Sequence, residues 1–201
     1  MLDLLAVLYC GMAIEDRRER EREARRQLIV TTARRLAEAE GWDAVTTRRL
    51  STEIEYSQPV LYKHFQGMDQ IADAIAVEGF GELAEAIRAA GAGAGAADGA
   101  LSRIARAYLD FARDNPAVYD AMFTRATSLR FAADATPPEL IAAFAELHQA
   151  VALVADTQDA DTLTEVFWAA LHGLVTLSRT GRLRADHDSD RLQALVTQFT
   201  N

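Results

Sequence analysis

The segment from Gly41 to Phe65 constrains the fold of this chain more than any other part of the sequence. It predicts two short helices joined by a tight turn near Glu55. Thr46 or Thr47 can cap the first helix and Ser57 the second, because threonine and serine favour that position. The apolar residues of the segment have the spacing of a small shared core: Val45, Leu50, Ile54, Leu61 and Phe65.

A longer amphipathic helix precedes this segment, from Asp16 to Glu40, and Gly41 ends it. Its apolar residues form one stripe at helical spacing: Leu28, Ile29, Ala33, Leu36 and Ala37. One long helix followed by two short helices around a small core is the arrangement of a helix-turn-helix. In that motif the second short helix lies in the major groove of DNA, and the first crosses the backbone.

The charges of the chain are distributed unevenly along the sequence. The net charge is −9, but residues 17–66 hold 11 basic residues against 8 acidic ones. Residues 67–201 hold 10 basic residues against 19 acidic ones. This asymmetry indicates that only the N-terminal part contacts phosphates. Glutamates are interspersed among the arginines from Arg17 to Arg26, so we interpret this run as a solvated helix start, with a DNA-contacting arm as the alternative.

Helical patterns continue through the rest of the chain, and no strand pattern or repeat stands out. They cover residues 69–90, 100–114, 118–123, 138–154, 162–180 and 190–199, which makes about nine helices in an all-α fold. The stretch GAGAGAADG at 91–99 predicts a flexible joint between the helices at 69–90 and 100–114.

Several classes of function are disfavoured by what the sequence lacks. The apolar start, residues 1–11, is too short for a membrane span and lacks the positive start of a signal peptide. We therefore expect residues 1–15 to be a disordered extension, with a weak amphipathic tail as the alternative, and no membrane partner. The single cysteine, Cys10, excludes an internal disulfide and suits a reducing cytoplasm. No HExxH motif, GxSxG motif or phosphate-binding loop occurs, so we expect neither an enzyme nor a bound cofactor or metal.

The helix-turn-helix segment resembles the DNA-binding domain of the tetracycline-repressor (TetR) family. The resemblance rests on Gly41-Trp42, on Thr46-Thr47, and on Leu61-Tyr62-Lys63-His64-Phe65 at the end of the second short helix. It implies a DNA-binding domain over residues 16–66 and a helical effector-binding and dimerisation domain over residues 67–201. It also implies residues that contact DNA: Thr47, Arg48, Ser57, Gln58, Pro59, Val60, Tyr62, Lys63 and His64.

The chemistry of these residues agrees with their implied roles. Gln58 can pair with adenine in the major groove, and Pro59 and Val60 can meet thymine methyl groups. Tyr62 and His64 are expected at phosphates, where Lys63 supplies positive charge. Phe65, in contrast, is expected to be a core aromatic.

Two residues depart from the family pattern. Glu55 stands where the turn usually has glycine, and a left-handed backbone there costs a non-glycine residue about 1 kcal/mol. Met68 stands where the family often has lysine, which removes one phosphate contact. Together with Glu53, Glu55 also weakens the positive field, so we expect weaker or more salt-sensitive DNA binding.

A second signature, from Phe167 to Leu174, resembles the Trp-His-Gly class of C-terminal domains in this family. It implies a homodimer through the last two helices, at about 162–180 and 190–199. Trp168 and His172 share a helix face, and we expect them either in an effector pocket or in a packed core or interface. The candidate pocket takes a small hydrophobic or aromatic effector and includes Tyr108, Phe111, Tyr119, Phe123, Phe144, Trp168 and His172.

The resemblance therefore predicts a transcriptional regulator, a repressor that a small hydrophobic effector releases from a palindromic double-stranded DNA operator. The alternative is a TetR-like helical protein with lost or weak DNA binding, which acts as a ligand- or partner-binding module. Glu55 and Met68 keep this alternative open.

Overall fold

The computed structural model describes residues 2–92, 97–125, 129–130 and 136–200. Within these ranges the chain forms nine α-helices and no strand, so the all-α prediction is confirmed. The helices are α1 (Leu2–Glu40), α2 (Thr47–Glu53), α3 (Gln58–Tyr62), α4 (Met68–Gly91), α5 (Ala97–Asp114), α6 (Pro116–Asp120), α7 (Pro138–Ala152), α8 (Ala160–Arg179) and α9 (Asp188–Thr200). None of the helices in the described ranges is long and apolar enough to cross a membrane.

The chain divides into two compact units, Met1–Ala74 and Ile75–Asn201. The division falls inside α4, whereas the sequence analysis expects it between residues 66 and 67. Helix α4 forms without interruption from Met68, because its first turns carry no helix-breaking residue. The predicted domain boundary and the compact units therefore differ by about two turns of helix.

The core of the first unit is built by α1, α2 and α3. It contains all five predicted residues of the helix-turn-helix segment, and α1 contributes Ile29, Val30, Ala33, Leu36 and Ala37. The prediction for Leu28 is wrong, because its side chain is 43% exposed. Leu28 is rotated by about 100° from its neighbour Ile29, which takes it out of the buried stripe.

Two predicted irregular segments are helical in part. Helix α1 begins at Leu2, where the sequence analysis expects a disordered extension over residues 1–15. Leucine, alanine and methionine dominate this stretch and favour the helical backbone. Likewise, α4 continues to Gly91 and α5 begins at Ala97, so the helices extend into the predicted joint from both sides. Residues 93–96 lie outside the described ranges.

In the second unit, α5 packs against α6, α7, α8 and α9. A π-helical turn, Ala121–Arg125, directly follows α6. Gly79 of α4 permits a close approach to this region, since a Cβ added to it would lie 2.4 Å from Val118 Cγ1 and 2.9 Å from Met122 Sδ. Any side chain at position 79 would therefore displace α6 or the π-helical turn.

Candidate DNA-binding surface and ligand site

The capping residues of α2 and α3 lie where the sequence predicts them. Of the two candidate threonines, Thr46 is the N-cap of α2, and its hydroxyl accepts a 3.1 Å hydrogen bond from the Arg49 amide. Ser57 is the N-cap of α3, although its side chain makes no capping hydrogen bond. Pro59 lies in the first turn of α3, where a missing amide hydrogen has no cost.

The turn between α2 and α3 is a Schellman motif. The Tyr56 amide donates a 3.0 Å hydrogen bond to the Ser51 carbonyl, which closes the end of α2. Glu55 has φ = 56°, which confirms the predicted left-handed conformation at a residue other than glycine. The same motif ends α8, where the Arg182 amide donates to the Leu177 carbonyl and Gly181 has φ = 66°.

Replacing Glu55 by glycine is expected to raise the free energy of unfolding by about 1 kcal/mol, because glycine adopts positive φ without a Cβ clash. Gly181→Ala is the matched control and should lower it by a similar amount, since the added Cβ meets nothing within 4 Å. Glu55→Gln removes the charge but keeps the strained backbone. Urea unfolding measures all three, and equal stabilisation by Glu55→Gln and Glu55→Gly would assign the effect to charge instead.

The predicted DNA-contacting residues lie on the open side of α2 and α3. Leu61 and Phe65, 2% and 3% exposed, anchor α3 in the core. Between and around these anchors, the side chains point outward, and Tyr62 is 52% exposed. Exposed are Arg48, Ser57, Gln58, Pro59, Tyr62 and Lys63, and half-buried are Thr47, Val60 and His64. The structure thus brings all nine residues to the surface of one helix pair.

Arg26 of α1 holds the end of α3, a role that the sequence analysis missed. Its guanidinium carbon lies 4.3 Å from the centre of the Phe65 ring, a cation–π contact. Its Nη1 also donates to the His64 carbonyl at 3.5 Å. The cation therefore lies at the C-terminal end of α3, where positive charge is favourable. In sequence Arg26 is one of several arginines, and nothing distinguishes it from solvated neighbours.

His64 lies in a positive environment. Partial burial lowers its pKa below the usual 6.5, and the charges of Arg22, Arg25 and Arg26 lower it further, while Glu23 opposes them. Three arginines of α1 thus act on the end of α3. Whether the arginine run is a solvated helix start or a DNA-contacting arm stays a prediction.

Ion pairs compensate part of the acidic charge near α2. Glu53 accepts hydrogen bonds from Arg35 at 2.6 Å and from Arg49 at 3.0 Å, and Arg49 also pairs with Glu40 at 3.0 Å. The hydrogen bond from Arg35 is the main cause that lowers the pKa of Glu53. Glu53 therefore weakens the positive field less than the sequence suggests, and its ion pairs join α1 to α2.

Met68, the first residue of α4, offers no positive charge for a phosphate contact.

In the second unit, six of the seven predicted pocket residues form one aromatic cluster. Phe123, on the π-helical turn, lies at its centre, with ring centroids 4.6 Å from Tyr119, 4.9 Å from His172 and 6.0 Å from Trp168. Phe144 meets Trp168 edge-on at 6.5 Å. Phe80 also contacts Phe123, at 5.4 Å. It is not among the predicted residues, because its position on α4 has the pattern of an ordinary core residue.

A chain of hydrogen bonds runs through this cluster. The indole N–H of Trp168 donates to the Tyr108 hydroxyl oxygen at 3.2 Å. The Tyr108 and Tyr119 hydroxyls lie 2.9 Å apart, and the Tyr119 hydroxyl lies 2.8 Å from His172 Nδ1. Thr176 Oγ1 lies 3.4 Å from His172 Nε2, at the exposed end.

The direction of these hydrogen bonds follows from the Trp168 indole at one end of the series. Indole can only donate, so Tyr108 donates its own proton to Tyr119, and Tyr119 donates to Nδ1 of a neutral His172. If Tyr119 donated to Tyr108 instead, the hydroxyl proton of the fully buried Tyr108 would have no acceptor in this series of hydrogen bonds. Burial lowers the pKa of His172 and raises that of Tyr108 to about 12, and both shifts favour the neutral forms. Burial likewise raises the pKa of Tyr119.

The cluster is closed in this conformation. The cavity beside it, lined by Phe80, Tyr108, Phe144 and Trp168 among others, has a volume of only about 10 Å³. That is no more than one water molecule needs. Phe111, the seventh predicted residue, is buried one turn beyond Tyr108 and takes part in none of the ring contacts given above. A ligand here would require side chains of the cluster to move.

Two family models match the chain. "Bacterial regulatory proteins, tetR family" matches residues 29–75. "Tetracyclin repressor-like, C-terminal domain" matches residues 101–199. The second range contains the Trp-His-Gly signature, whose assignment to a particular C-terminal class stays a prediction.

Similar proteins agree with both matches. The uncharacterized HTH-type transcriptional regulator Rv0681 of Mycobacterium tuberculosis is 32% identical over 170 residues, which cover 82% of this chain and 74% of that protein. A protein of unknown function from Rhodococcus sp. RHA1 has a similar structure, with a TM-score of 0.69, 24% identity, and coverage of 87% and 93% of the two chains. The TetR family regulator PfmR from Thermus thermophilus has a TM-score of 0.57, 17% identity, and coverage of 85% and 94%. The family matches and the mycobacterial relative show that this chain belongs to the TetR family of transcriptional regulators.

Proposed function

We propose that this protein is a repressor, which binds a palindromic operator as a homodimer and leaves it when a small hydrophobic effector binds. The observation that carries the DNA-binding part is the exposed row of polar side chains on α3 above buried Leu61 and Phe65. Three arginines of α1 add positive charge at the end of that helix. A major-groove reader needs this combination of an anchored helix, base-reading groups and phosphate-binding charge.

Within the helix pair, each residue has a proposed contact. Gln58 reads adenine, and Pro59 and Val60 meet thymine methyl groups. Tyr62, Lys63 and His64 bind phosphates, as does Arg48. Ser57 and Thr47 lie at the N-terminal ends of α3 and α2, close to where a helix N-terminus meets the DNA backbone.

The outer face of α8 supports the proposed dimer. Val166 and Leu177 are 53% and 41% exposed, and a Cβ on Gly173 would meet nothing within 4 Å. The three residues lie on one side of the helix at about 100° per residue. A second copy of α8 and α9 can cover this face in a four-helix bundle.

The aromatic cluster is the proposed effector site. Its rings offer an apolar surface, and the Tyr119–His172 hydrogen bond offers one polar contact that a ligand can replace. Because the cluster is closed, the ligand selects an open conformation, and it can shift operator binding only by its differential affinity for the two states. Helix α4 is the proposed transmitter, and a cytoplasmic location fits this role.

The function is tested by selection of bound sequences from a random double-stranded DNA pool. The proposal expects enriched inverted repeats, with half-site centres about 34–36 Å apart or at multiples of that distance. A pool that stays unenriched would favour the second candidate, a family member with lost DNA binding, which the strained Glu55 turn and the uncharged Met68 support.

Operator affinity is expected to rise as the pH falls from about 8 to about 5.5. The free protein holds the pKa of His64 below 6.5, whereas a bound phosphate raises it, so binding takes up a proton between the two values. One proton gives at most about a tenfold change per pH unit. His64→Gln should flatten this dependence, and an unchanged slope in that variant would exclude His64 as its source.

The effector site can be followed through tryptophan fluorescence. Trp42→Phe leaves Trp168 as the single tryptophan of the chain. Hydrophobic and aromatic compounds that weaken operator binding are expected to change Trp168 emission with the same midpoint concentration. A compound that weakens operator binding without any change at Trp168 would move the effector site away from the aromatic cluster.

A further inference from the structure

A cleft of about 310 Å³ lies between α5, α8 and α9, and no residue of the aromatic cluster lines it, although its Arg179 lies 6.0 Å from the centre of the Tyr119 ring. Its apolar surface comes from all three helices, with Leu109 on α5, Leu174 on α8 and Leu192 on α9. The volume is at the lower end of the roughly 300–1,000 Å³ of small-molecule sites. The cleft is therefore large enough for a small organic ligand, whereas the cavity beside the aromatic cluster is not.

Positive charge is concentrated around this cleft. Residues 67–201 contain ten arginines and no lysine, and four of the ten line it: Arg106, Arg113, Arg179 and Arg191. Only two carboxylates, Asp110 and Asp188, share the lining. The lining itself therefore carries more positive than negative charge, and Asp114 and Asp120, which pair with Arg113 and Arg179, lie directly beside it.

Three of these arginines are already paired. Arg113 binds Asp110 at 2.6 Å, Arg179 binds Asp120 at 3.0 Å, and Arg191 binds Asp188. Arg106 differs, because its exposed side chain makes no ion pair or hydrogen bond within the described part of the chain. Arginine presents a planar set of donors that fits a carboxylate with two parallel hydrogen bonds.

The cleft and the proposed dimer face lie on different sides of α8. At about 100° per residue, Val175 and Ser178 lie about 180° and 120° from the common direction of Val166, Gly173 and Leu177, and Leu174 lies about 80° from it, on the flank between the two faces. A partner on the outer face of α8 therefore leaves Val175 and Ser178 uncovered.

We propose that this cleft binds an organic monoanion, a carboxylate with an apolar tail. Arg106 binds the carboxylate, and the three leucines contact the tail. A single negative charge matches the one unpaired arginine of the lining, Arg106, whereas a doubly charged phosphate ester would also approach Asp110 and Asp188. The proposal does not depend on DNA binding or on the aromatic cluster.

Calorimetric titration of the full chain with sodium octanoate tests this site. One octanoate per chain is expected to bind, with Arg106→Gln weakening the affinity about tenfold or more. Arg182→Gln is the matched control, since it removes the same charge close to the end of α8 but outside the lining, and should change the affinity less than about twofold. 1-Octanol, with the same tail and no charge, should bind at least about tenfold more weakly than octanoate.

Four results would overturn the proposal. The first is that octanoate shows no saturable binding, and the second is that octanol binds with the same affinity as octanoate. The third is that Arg106→Gln leaves the affinity for octanoate unchanged, and the fourth is that octyl phosphate binds more tightly than octanoate. Circular dichroism melting of Arg106→Gln shows that the variant is folded. If Trp168→Phe abolishes octanoate binding and Arg106→Gln does not, the carboxylate binds in the aromatic cluster instead.

Discussion

Replacing Tyr62 by phenylalanine and His64 by alanine together is expected to weaken operator binding about 100-fold. Each substitution removes one proposed hydrogen bond to a phosphate, and each such charge-assisted bond contributes roughly a factor of ten. Tyr62 is 52% exposed and His64 is only partly buried, so the melting temperature should stay nearly unchanged. Because phosphate contacts carry no sequence information, affinity for unrelated DNA should fall by a similar factor.

Two further variants separate the roles within this surface. Gln58→Ala should lower the preference for the operator about tenfold and leave binding to unrelated DNA unchanged, since it removes a base contact. His187→Ala is the control, a histidine of the second unit bonded to Asp190. Operator affinity at the level of the wild type in the Tyr62 and His64 double variant would remove α3 from the interface.

Gly79→Ala is expected to lower the free energy of unfolding by about 2 kcal/mol. The added Cβ would lie 2.4 Å from Val118 Cγ1 and 2.9 Å from Met122 Sδ, and Val118 is fully buried. A gap this short cannot be kept, so α6 and the π-helical turn must shift. Phe123 lies on that turn, and the packing of the aromatic cluster should loosen as a result.

Gly81→Ala is the matched control in the same helix. Its Cβ would meet Glu139 Cγ at an ordinary 3.5 Å, so alanine should stabilise the helix by about 0.5–1 kcal/mol. Val118→Ala should make the Gly79→Ala substitution less costly in the double variant, a coupling that a thermodynamic cycle measures. Similar unfolding curves for Gly79→Ala and Gly81→Ala would contradict the close approach at Gly79.

The helix-turn-helix could be predicted from local signals. Thr46, Ser57 and Pro59 mark the helix starts, and five apolar residues at helical spacing mark the core. These signals act within a few residues of each other, so the sequence expresses them directly. The left-handed backbone at Glu55 could also be predicted, because the motif fixes the conformation whatever residue stands there.

The contacts between distant segments could not be predicted in the same way. Arg26 meets His64 and Phe65 across 38 and 39 positions, and no periodicity selects one arginine among its neighbours. Six of the seven residues predicted to line a pocket in the second unit do form one cluster, but their role as a ligand site stays a prediction, and the hydrogen bonds that join them depend on helix packing. Sequence patterns report which residues are apolar, and they do not report whether those residues enclose a cavity or fill it.

The central claim, that the exposed face of α3 recognises DNA, is tested most directly by a salt titration of operator binding. Fluorescence anisotropy would compare the selected operator with a scrambled duplex of the same length and composition. We expect tighter binding to the operator than to the scrambled duplex, and an affinity whose logarithm falls linearly with the logarithm of salt concentration as counterions are released. Equal affinity for both duplexes at every salt concentration, or no binding to either, would contradict it.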